Sequence, residues 1–248
     1  MSTAPRQRVL ASSGHAPTEL LQLNQEIIAC TRCPRLISYC KRIGQEKRRA
    51  YLAWDYWAKP VPGFGDPAAR LLILGLAPGA HGSNRTGRPF TGDGSGNFLY
   101  PVLHRAGFAS QSNGTHRDDG MRLLDAYITA TVRCAPPANK PTPQEIANCS
   151  SHLDREFAAL PNVKIVVVLG RIAFDAYLNY LKRRGELKSK AGFAFGHGAN
   201  YQMTDGRTLL CAFHPSLQNT NTGKLTEKML LDVFKQAKKL LEREKNHR

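Results

Sequence analysis

Residues 71–96 have the sequence LLILGLAPGAHGSNRTGRPFTGDGSG, and this stretch decides the fold. Its first residues form a short apolar run with the length and composition of a buried strand. Glycine, proline and small polar residues follow, and a helical pattern begins near Asn97. A strand that passes into a glycine-rich loop and then a helix places that loop at the carboxyl end of a sheet, where open α/β folds bind their ligands. The stretch therefore predicts the active-site loop of an α/β protein.

The remaining chain alternates between strand and helix patterns. The residue patterns predict helices from Thr18 and over 97–106, 142–160, 172–182 and 225–244, strands over 126–132, 163–169 and 208–213, and a loop or hairpin over 183–205. Strands that alternate with helices at this spacing favour a parallel sheet covered by helices on both faces. The sequence therefore predicts a three-layer α/β/α fold with a central, mainly parallel sheet.

The composition of the chain indicates how it is divided into a tail and a domain. Residues 1–17 are rich in Ser, Pro, Gly and Arg without periodicity, which predicts a disordered tail, and residues 18–248 are predicted to form one domain. No apolar run approaches the roughly 18 residues that span a bilayer, and the N-terminus lacks the apolar core of a secretory signal. We expect a cytoplasmic monomer with no membrane partner and with its six cysteines reduced.

The charge is far from balanced. Lys and Arg number 35 against 19 acidic residues, which gives a formal net charge of +16. Such an excess predicts attraction to a polyanion, and nucleic acid is the first candidate. The basic run at 41–49 is followed by an aromatic cluster whose rings either stack on bases or pack beneath a loop, namely Tyr51, Trp54, Tyr56 and Trp57.

Four cysteines adjoin predicted loops. Cys30 and Cys33 form a Cys-x2-Cys turn, and Cys134 and Cys149 form a second, wider pair. Four thiolates suit either zinc or an iron–sulfur cluster, and the spacing alone does not separate the two. Cys40 and Cys211 are interpreted as non-ligands; Cys211 lies within an apolar strand, where free cysteine behaves as a small hydrophobe.

Three segments are predicted to meet at the carboxyl ends of neighbouring strands: 75–96, 133–140 and 214–223. They carry polar residues suited to acid–base chemistry or to hydrogen bonding of developing charge, namely Asp93, Asn139, His214 and Asn219. The loop lacks the Gly-Lys-Ser/Thr of a phosphate-binding loop and the glycine spacing of a dinucleotide fold. A zinc deaminase is also excluded, because no His-x-Glu accompanies a Pro-Cys-x-x-Cys.

Two motifs and the cysteines resemble one known family. Residues 75–88, GLAPGAHGSNRTGR, resemble the first motif of the uracil-DNA glycosylase superfamily, most closely its family 5, the type B enzymes. Residues 214–223, HPSLQNTNTG, resemble the second motif. Cys30, Cys33, Cys134 and Cys149 match the ligands of the [4Fe–4S] cluster that families 4 and 5 share. The similarity extends from Cys30 to the C-terminal helix.

The resemblance implies hydrolysis of the N-glycosidic bond of uracil in DNA, after the nucleotide has been rotated out of the duplex. Its expected partner is DNA that contains uracil or other deaminated bases. By this resemblance Phe90 stacks on the flipped base, His214 stabilises negative charge on the uracil carbonyl, and Leu217 is a wedge that fills the gap in the stack. Asn139 and Asn219 match positions that support catalysis. The remaining substrate-binding residues are Gly79, Ala80, His81, Arg88 and Ser216.

One departure from other glycosylase families stands out. Those families place Asp, Asn or Glu in the first motif to position water, whereas residues 75–80 here have no ionisable side chain. Asp93 is the one carboxylate of the loop, and we expect it to orient the water or to balance the oxocarbenium charge. The small, apolar floor is also expected to admit hypoxanthine or etheno-modified bases.

Two alternatives come from other functional classes. A non-catalytic nucleic-acid-binding module with a structural zinc would explain the charge and the cysteines, but it gives Asp93 and His214 no task. An acyl or phosphoryl hydrolase would use His214 and Ser216, yet the sequence has no nucleophile elbow.

Overall fold

A computed structural model describes residues 15–245 of the chain. The helices in this part are α1 (His15–Ile28), α2 (Pro34–Glu46), α3 (Ser83–Thr86), α4 (Gly94–Arg105), α5 (Pro143–Ala159), α6 (Arg171–Arg183), α7 (Leu217–Asn221) and α8 (Glu227–Lys245). The strands are β1 (Phe64–Gly65), β2 (Leu71–Gly75), β3 (Ala126–Ala130), β4 (Ile165–Leu169), β5 (Asn200–Gln202) and β6 (Thr208–Ala212). Single 3-10 turns lie at Arg49–Tyr51 and Pro137–Asn139.

The strands form one mixed sheet in the order β1-β3-β2-β4-β6-β5. The four inner strands are parallel, and the two short edge strands are antiparallel to their neighbours. The inner strands are buried almost throughout, which is why their sequences are continuous apolar runs rather than alternating ones. The prediction of a mainly parallel central sheet is confirmed.

Helices cover both faces of the sheet. Leu71 and Ile73 of β2 belong to an apolar cluster with α4 and α8, whereas Leu72 and Leu74 face a cluster with α1, α5 and α6. Successive side chains of a strand point to opposite faces, so one five-residue strand contributes to both cores. The predicted three-layer α/β/α arrangement is confirmed.

Several boundaries differ from the predictions. Helix α4 begins at Gly94 rather than near Asn97, because Asp93 caps it. Strand β3 ends at Ala130, although the backbone N–H groups of Thr131 and Val132 still donate to β2 and the residue after it. The segment 183–205 does contain a hairpin strand, since β5 pairs with β6.

Helix α2 was not predicted. Its buried residues are Leu36, Cys40 and Ile43, which recur every three or four positions as on one face of a helix. The surrounding charged residues concealed this pattern in the sequence.

The N-terminal tail predicted over residues 1–17 lies mostly outside the described residues. Within them, α1 begins at His15, three residues before the predicted start at Thr18. None of the helices in residues 15–245 combines the length and the apolar character that a membrane crossing requires.

Candidate active site

A cleft of about 800 Å³ opens at the carboxyl ends of β2, β3 and β6. All three segments that were predicted to meet contribute to its wall. Most of the predicted site residues line it: Gly79, Ala80, His81, Phe90, Asp93, Asn139, His214, Ser216 and Leu217. Two predicted residues, Arg88 and Asn219, do not. Parallel strands bring their ends to one edge of the sheet, so the strand pattern accounts for this convergence.

The loop after β2 is held in shape by Arg85. Its Nε donates to the carbonyl of His81 at 2.8 Å, and its Nη2 donates to the carbonyl of Gly92 at 2.7 Å. These two bonds join the two ends of the loop, and residues 82–89 between them are buried. The glycine-rich stretch is therefore a packed wall of the cleft.

Asp93 lies at the first turn of α4. Its Oδ1 accepts a hydrogen bond from the backbone N–H of Gly96 at 3.0 Å, which satisfies one of the unpaired donors at the helix start. Burial raises the pKa of Asp93, and backbone hydrogen bonds to its carboxylate partly offset this effect. The other carboxylate oxygen faces Gly79 and Gly82, where the absence of side chains leaves room for it.

The Phe90 and His214 rings face each other across the cleft. Their centroids are 5.9 Å apart and their planes are inclined by 32°. A Cβ at Gly75 would lie 3.1 Å from the Phe90 ring, so the glycine that ends β2 allows this ring to approach the strand. Burial lowers the pKa of His214 to about 4, so its imidazole is neutral at neutral pH.

Residues 214–221 carry the remaining predicted side chains. Ser216 caps α7, and Leu217 begins that helix with 58% of its surface exposed. Asn219 lies behind the cleft wall, where its Nδ2 donates to the backbone carbonyl of His214 at 2.8 Å. Asn219 therefore orients the histidine instead of facing the cleft.

Asn139 and His81 line other parts of the cleft. Asn139 ends a 3-10 turn in the left-handed region at φ 56°, a conformation that asparagine tolerates better than most residues. His81 shares a hydrogen bond of 3.0 Å between its Nδ1 and the hydroxyl of Tyr56. Burial lowers the pKa of His81, and the charges of Arg48 and Arg85 lower it further.

Arg88 was predicted to bind substrate, but the structure places it elsewhere. Its side chain is buried and forms a two-pronged ion pair with Asp119, at 2.7 Å for each bond. Its Nε donates to Thr91 at 2.8 Å. Because these contacts use its donors away from the cleft, Arg88 holds the loop in place, and it is not among the residues that line the cleft.

Comparison with known proteins agrees with this geometry. The family model described as "Uracil DNA glycosylase superfamily" matches residues 62–238. The chain is 52% identical to a type-5 uracil-DNA glycosylase of Thermus thermophilus over 87% of this chain and 95% of that protein. It is 46% identical to a type-5 uracil-DNA glycosylase of Mycobacterium bovis over 89% and 81% of the two chains.

The chain belongs to the uracil-DNA glycosylase superfamily. A type-4 uracil-DNA glycosylase of Thermotoga maritima is more distant, with 28% identity over 74% of this chain. The type-5 relatives are thus the nearer group, in agreement with the resemblance of the first motif.

The four cysteines that the superfamily resemblance singles out also converge. Cys30 follows α1, Cys33 precedes α2, Cys134 follows β3, and Cys149 lies on α5; all four line one small cavity beside α2. Within residues 15–245, no group of three or more His, Cys, Asp or Glu side chains has the spacing that holds a single metal ion.

Two further groups beside this cavity are suited to sulfur ligands. Asn148 donates from Nδ2 to the Sγ of Cys33 at 3.6 Å. Arg133 is buried against Glu156, and its Nε and Nη1 have no hydrogen-bond partner among the described residues. Arg133 lines the cysteine cavity and the cleft alike. Four thiols, an amide donor and a buried cation with unpaired donors together fit an anionic thiolate-bound cluster.

Cys40 and Cys211 are placed differently from each other. Cys211 is buried in β6, far along the chain from the four converging cysteines. Cys40 is buried on α2 in the apolar cluster that contains Cys134 and Cys149, and its Sγ lies 3.7 Å from the carbonyl of Ala135. The sequence gave no indication that Cys40 lies in the same cluster as Cys134.

Proposed function

We propose that this protein is a uracil-DNA glycosylase that hydrolyses the N-glycosidic bond of uracil in DNA and leaves an abasic site. The observation that carries the proposal is one cleft with three groups: an aromatic ring at Phe90, a neutral imidazole at His214 and a buried carboxylate at Asp93. Its support is the family membership of the chain and its identity to type-5 enzymes.

Phe90 is the proposed stacking surface for the flipped base. A base within a duplex is out of reach of these groups, so the nucleotide must be rotated into the cleft at a cost of a few kcal/mol. Stacking on an aromatic ring recovers part of that cost. The positive charge of the chain supplies the attraction to the phosphates on either side.

His214 is the proposed stabiliser of the leaving group. As the bond between the sugar and N1 breaks, its electron pair moves into the uracil ring and negative charge builds on a carbonyl oxygen. A neutral imidazole can donate an N–H hydrogen bond to that oxygen without a change in its own charge. The hydrogen bond from Asn219 to the backbone of His214 fixes where that donor points.

Asp93 is the proposed partner of the sugar and the water. A carboxylate near the sugar ring balances the positive charge of the oxocarbenium ion, and it can orient the water that adds to C1′ and accept its proton. Asn139, whose side chain makes no hydrogen bond to other described residues, is the proposed second contact for the base or the water. The released uracil anion is protonated to neutral uracil.

The cleft is also proposed to accept bases larger than uracil. Its floor, residues 75–80, has no ionisable side chain that would reject a purine ring, and its volume of about 800 Å³ exceeds the needs of a pyrimidine. Hypoxanthine and etheno-modified bases are the proposed additional substrates.

Cys30, Cys33, Cys134 and Cys149 are the proposed ligands of a [4Fe–4S] cluster. When bound, such a cluster cross-links its four thiolates and can in principle exchange one electron. For this chain we propose the structural use, because the four cysteines connect α1, α2, β3 and α5 at one point. The cluster would thereby fix α2 and the basic run at 41–49 beside the cleft.

The deciding experiment uses a duplex with one uracil, incubated with the protein and then treated with alkali, which breaks the strand at an abasic site. We expect cleavage with the wild-type protein and none above background with a double variant, Asp93→Asn with His214→Ala. Binding of the duplex without release of uracil would support the non-catalytic module instead. Parallel duplexes with hypoxanthine or ethenocytosine test the wider substrate range, and release of uracil alone would contradict it.

A further inference from the structure

The basic run at 41–49 and the aromatic cluster that follows it have no role in the chemistry described above. In the structure they are joined by the 3-10 turn Arg49–Tyr51, which is followed by Leu52. Leu52 has 61% of its surface exposed. A single exposed leucine is ordinary on a protein surface. Leu52 differs from an ordinary exposed leucine in its location near the cleft and in the contacts that hold its backbone segment in place.

The turn that carries Leu52 is clamped by Arg85. The Arg85 guanidinium lies 3.9 Å from the centroid of the Tyr51 ring and 4.0 Å from that of the Trp54 ring. The same guanidinium donates to the carbonyls of His81 and Gly92 in the wall of the cleft. Cation–π contacts are stronger for a buried arginine than for an exposed one, because water no longer competes for its charge. One side chain therefore fastens the turn to the loop that shapes the base-binding cleft.

Backbone hydrogen bonds fasten the same segment a second time. The N–H of Trp57 donates to the carbonyl of Arg85 at 2.9 Å, and the N–H of Ala58 donates to the carbonyl of Asn84 at 2.9 Å. The Trp57 ring also packs against Gly87, where a Cβ would come within 2.8 Å of it. The aromatic cluster thus serves as a rigid support for residues 51–58.

This rigid turn stands at the rim of the cleft. Arg48, which precedes the turn, and Tyr51, which ends it, both line the cleft, as does another exposed leucine, Leu217. The basic run 41–49 contains five Lys or Arg residues and one acidic residue, Glu46, which pairs with Arg42. Arg48 and Arg49 are exposed and form no ion pair with a described residue. An exposed leucine therefore lies on the clamped segment just after two exposed cations, and its neighbours Arg48 and Tyr51 reach the cleft.

We propose that Leu52 enters the base stack of the duplex next to the flipped uracil, while Arg48 and Arg49 bind the flanking phosphates. Proteins that distort DNA use this combination, in which an apolar wedge unstacks one step and arginines hold the backbone. Leu52 then acts from one part of the rim and Leu217 from another. The proposal rests on uracil excision from DNA, and it adds a second contact that opens the duplex.

The test compares two substrates under single-turnover conditions. In one, uracil is paired with adenine in a duplex; in the other, the same uracil lies at the centre of an unpaired bubble, where no stack has to be opened. For Leu52→Ala we expect the rate on the paired substrate to fall about tenfold, because the apolar contact of a leucine is lost. The rate on the bubble should change by less than about twofold, since a flipped base already costs little there.

Leu21→Ala is the matched control, because Leu21 is 66% exposed on α1, a helix with no residue in the lining of the cleft. It should change neither rate. Leu52→Phe should keep the excision rate on the paired substrate near that of the wild-type protein, since another apolar group can fill the gap in the stack. Replacement of Arg48 and Arg49 by glutamine should weaken binding of both substrates. It should also reduce the slope of the logarithm of the binding constant against the logarithm of the salt concentration by roughly one unit per arginine.

The proposal is overturned if Leu52→Ala slows both substrates equally or neither of them. A wild-type protein that releases uracil from neither substrate would contradict the proposed glycosylase activity itself, so the two failures are distinguishable. Leu52 is exposed, and its replacement should leave the thermal midpoint unchanged, which separates loss of the wedge from loss of the fold.

Discussion

The carboxylate of Asp93 occupies the space that a side chain on Gly82 would need, because a Cβ at position 82 would overlap its Oδ2 atom. Gly79 has a similar relation to it, with a Cβ there lying 2.7 Å from Oδ2. On its other side the carboxylate is fixed by the N–H of Gly96. Two glycines and one helix cap therefore determine where the carboxylate points.

Replacement of Gly82 by alanine should accordingly lower activity, and it should also lower stability. The backbone of Gly82 has φ −99° and ψ −102°, which lies outside the regions that alanine favours, so the added methyl group acts through the backbone conformation as well as through its overlap with the carboxylate. A displacement of about 1 Å in a catalytic group costs on the order of 100-fold in rate, and we expect that loss in single-turnover excision of uracil. Gly196→Ala is the control, because a Cβ there meets nothing within 4 Å. Equal rates for both variants would refute the proposed role of this contact.

The Asp93→Asn variant separates the charge of this residue from its capping function. Asparagine keeps an oxygen that can accept from Gly96, so the fold should be retained. We expect the excision rate at neutral pH to fall by about 10²–10⁴, the usual contribution of a positioned acid or base. An Asp93→Asn enzyme with an unchanged single-turnover rate would exclude the carboxylate from the reaction.

The pH dependence of the rate should follow the same residue. Burial lowers the pKa of His214 to about 4, so its imidazole is neutral at neutral pH. Burial raises the pKa of Asp93, so its carboxylate gains a proton at a higher pH than a solvent-exposed carboxylate does. Excision should decline as the pH falls through the raised pKa of Asp93, and it should be level above that pKa, where the carboxylate is ionised. In Asp93→Asn this acid limb should disappear down to the pH near 4 where His214 gains its proton. A rate that declines as the pH rises from 5 to 7 would show that the protonated imidazole is required.

The inner strands of the sheet and the loops of the site could be predicted from the sequence, because the residue patterns that indicate them are local. Strands β2 and β4 are apolar runs because both of their faces are covered, and a run of that kind is visible without any tertiary information. The cap at Thr142 and its partner Glu145 also mark the start of α5 in the sequence itself. The two motif loops follow strand ends, so their convergence follows from a parallel sheet.

The buried positions of Arg85 and Arg88 could not be predicted from the sequence. Both stand in a glycine-rich loop, where an arginine is normally expected to reach solvent or ligand. Arg88 instead meets Asp119, which is 31 residues away in a polar segment, and Arg85 meets rings that precede it by more than thirty residues. Buried charges depend on partners that tertiary structure supplies, and no residue pattern records that pairing.

The buried pair of Arg88 and Asp119 gives a prediction of stability rather than activity. Their side chains are 2% and 7% exposed, so Arg88→Met leaves a buried carboxylate whose remaining donors are the backbone N–H groups of Thr115, His116 and Met121, at a cost of about 3 kcal/mol in the free energy of unfolding. Arg105→Met, which breaks the exposed pair with Glu227, should cost less than about 1 kcal/mol. Denaturant titration measures both. If the Arg88→Met variant keeps full stability but loses DNA binding, the result would support the substrate-binding role that the family resemblance implies for this arginine.

Replacement of single cysteines tests the proposed cluster. Cys149→Ala should lose iron and sulfide, since a [4Fe–4S] cluster takes four thiolates and Cys149 is one of the four around the cavity. Cys211→Ala, in β6, should keep the full content of both. Cys40→Ala is the sharper control, because Cys40 packs in the same apolar cluster as Cys149 but does not line the cavity.

The same variants test what the cluster is for. If it fixes α2 to α5 and to the segment after β3, which carry Cys149 and Cys134, its loss should expose the basic run 41–49 to trypsin. The cleavage rate should then rise in Cys149→Ala but not in Cys40→Ala. Iron retained at the wild-type level in Cys149→Ala would exclude that ligand. Zinc found in place of iron in anaerobically purified wild-type protein would overturn the assignment of the cluster. Loss of iron with no change in cleavage would leave the four cysteines as ligands and contradict the structural role, because helix α2 would then be held by its apolar packing and by the ion pair of Arg35 with Glu145.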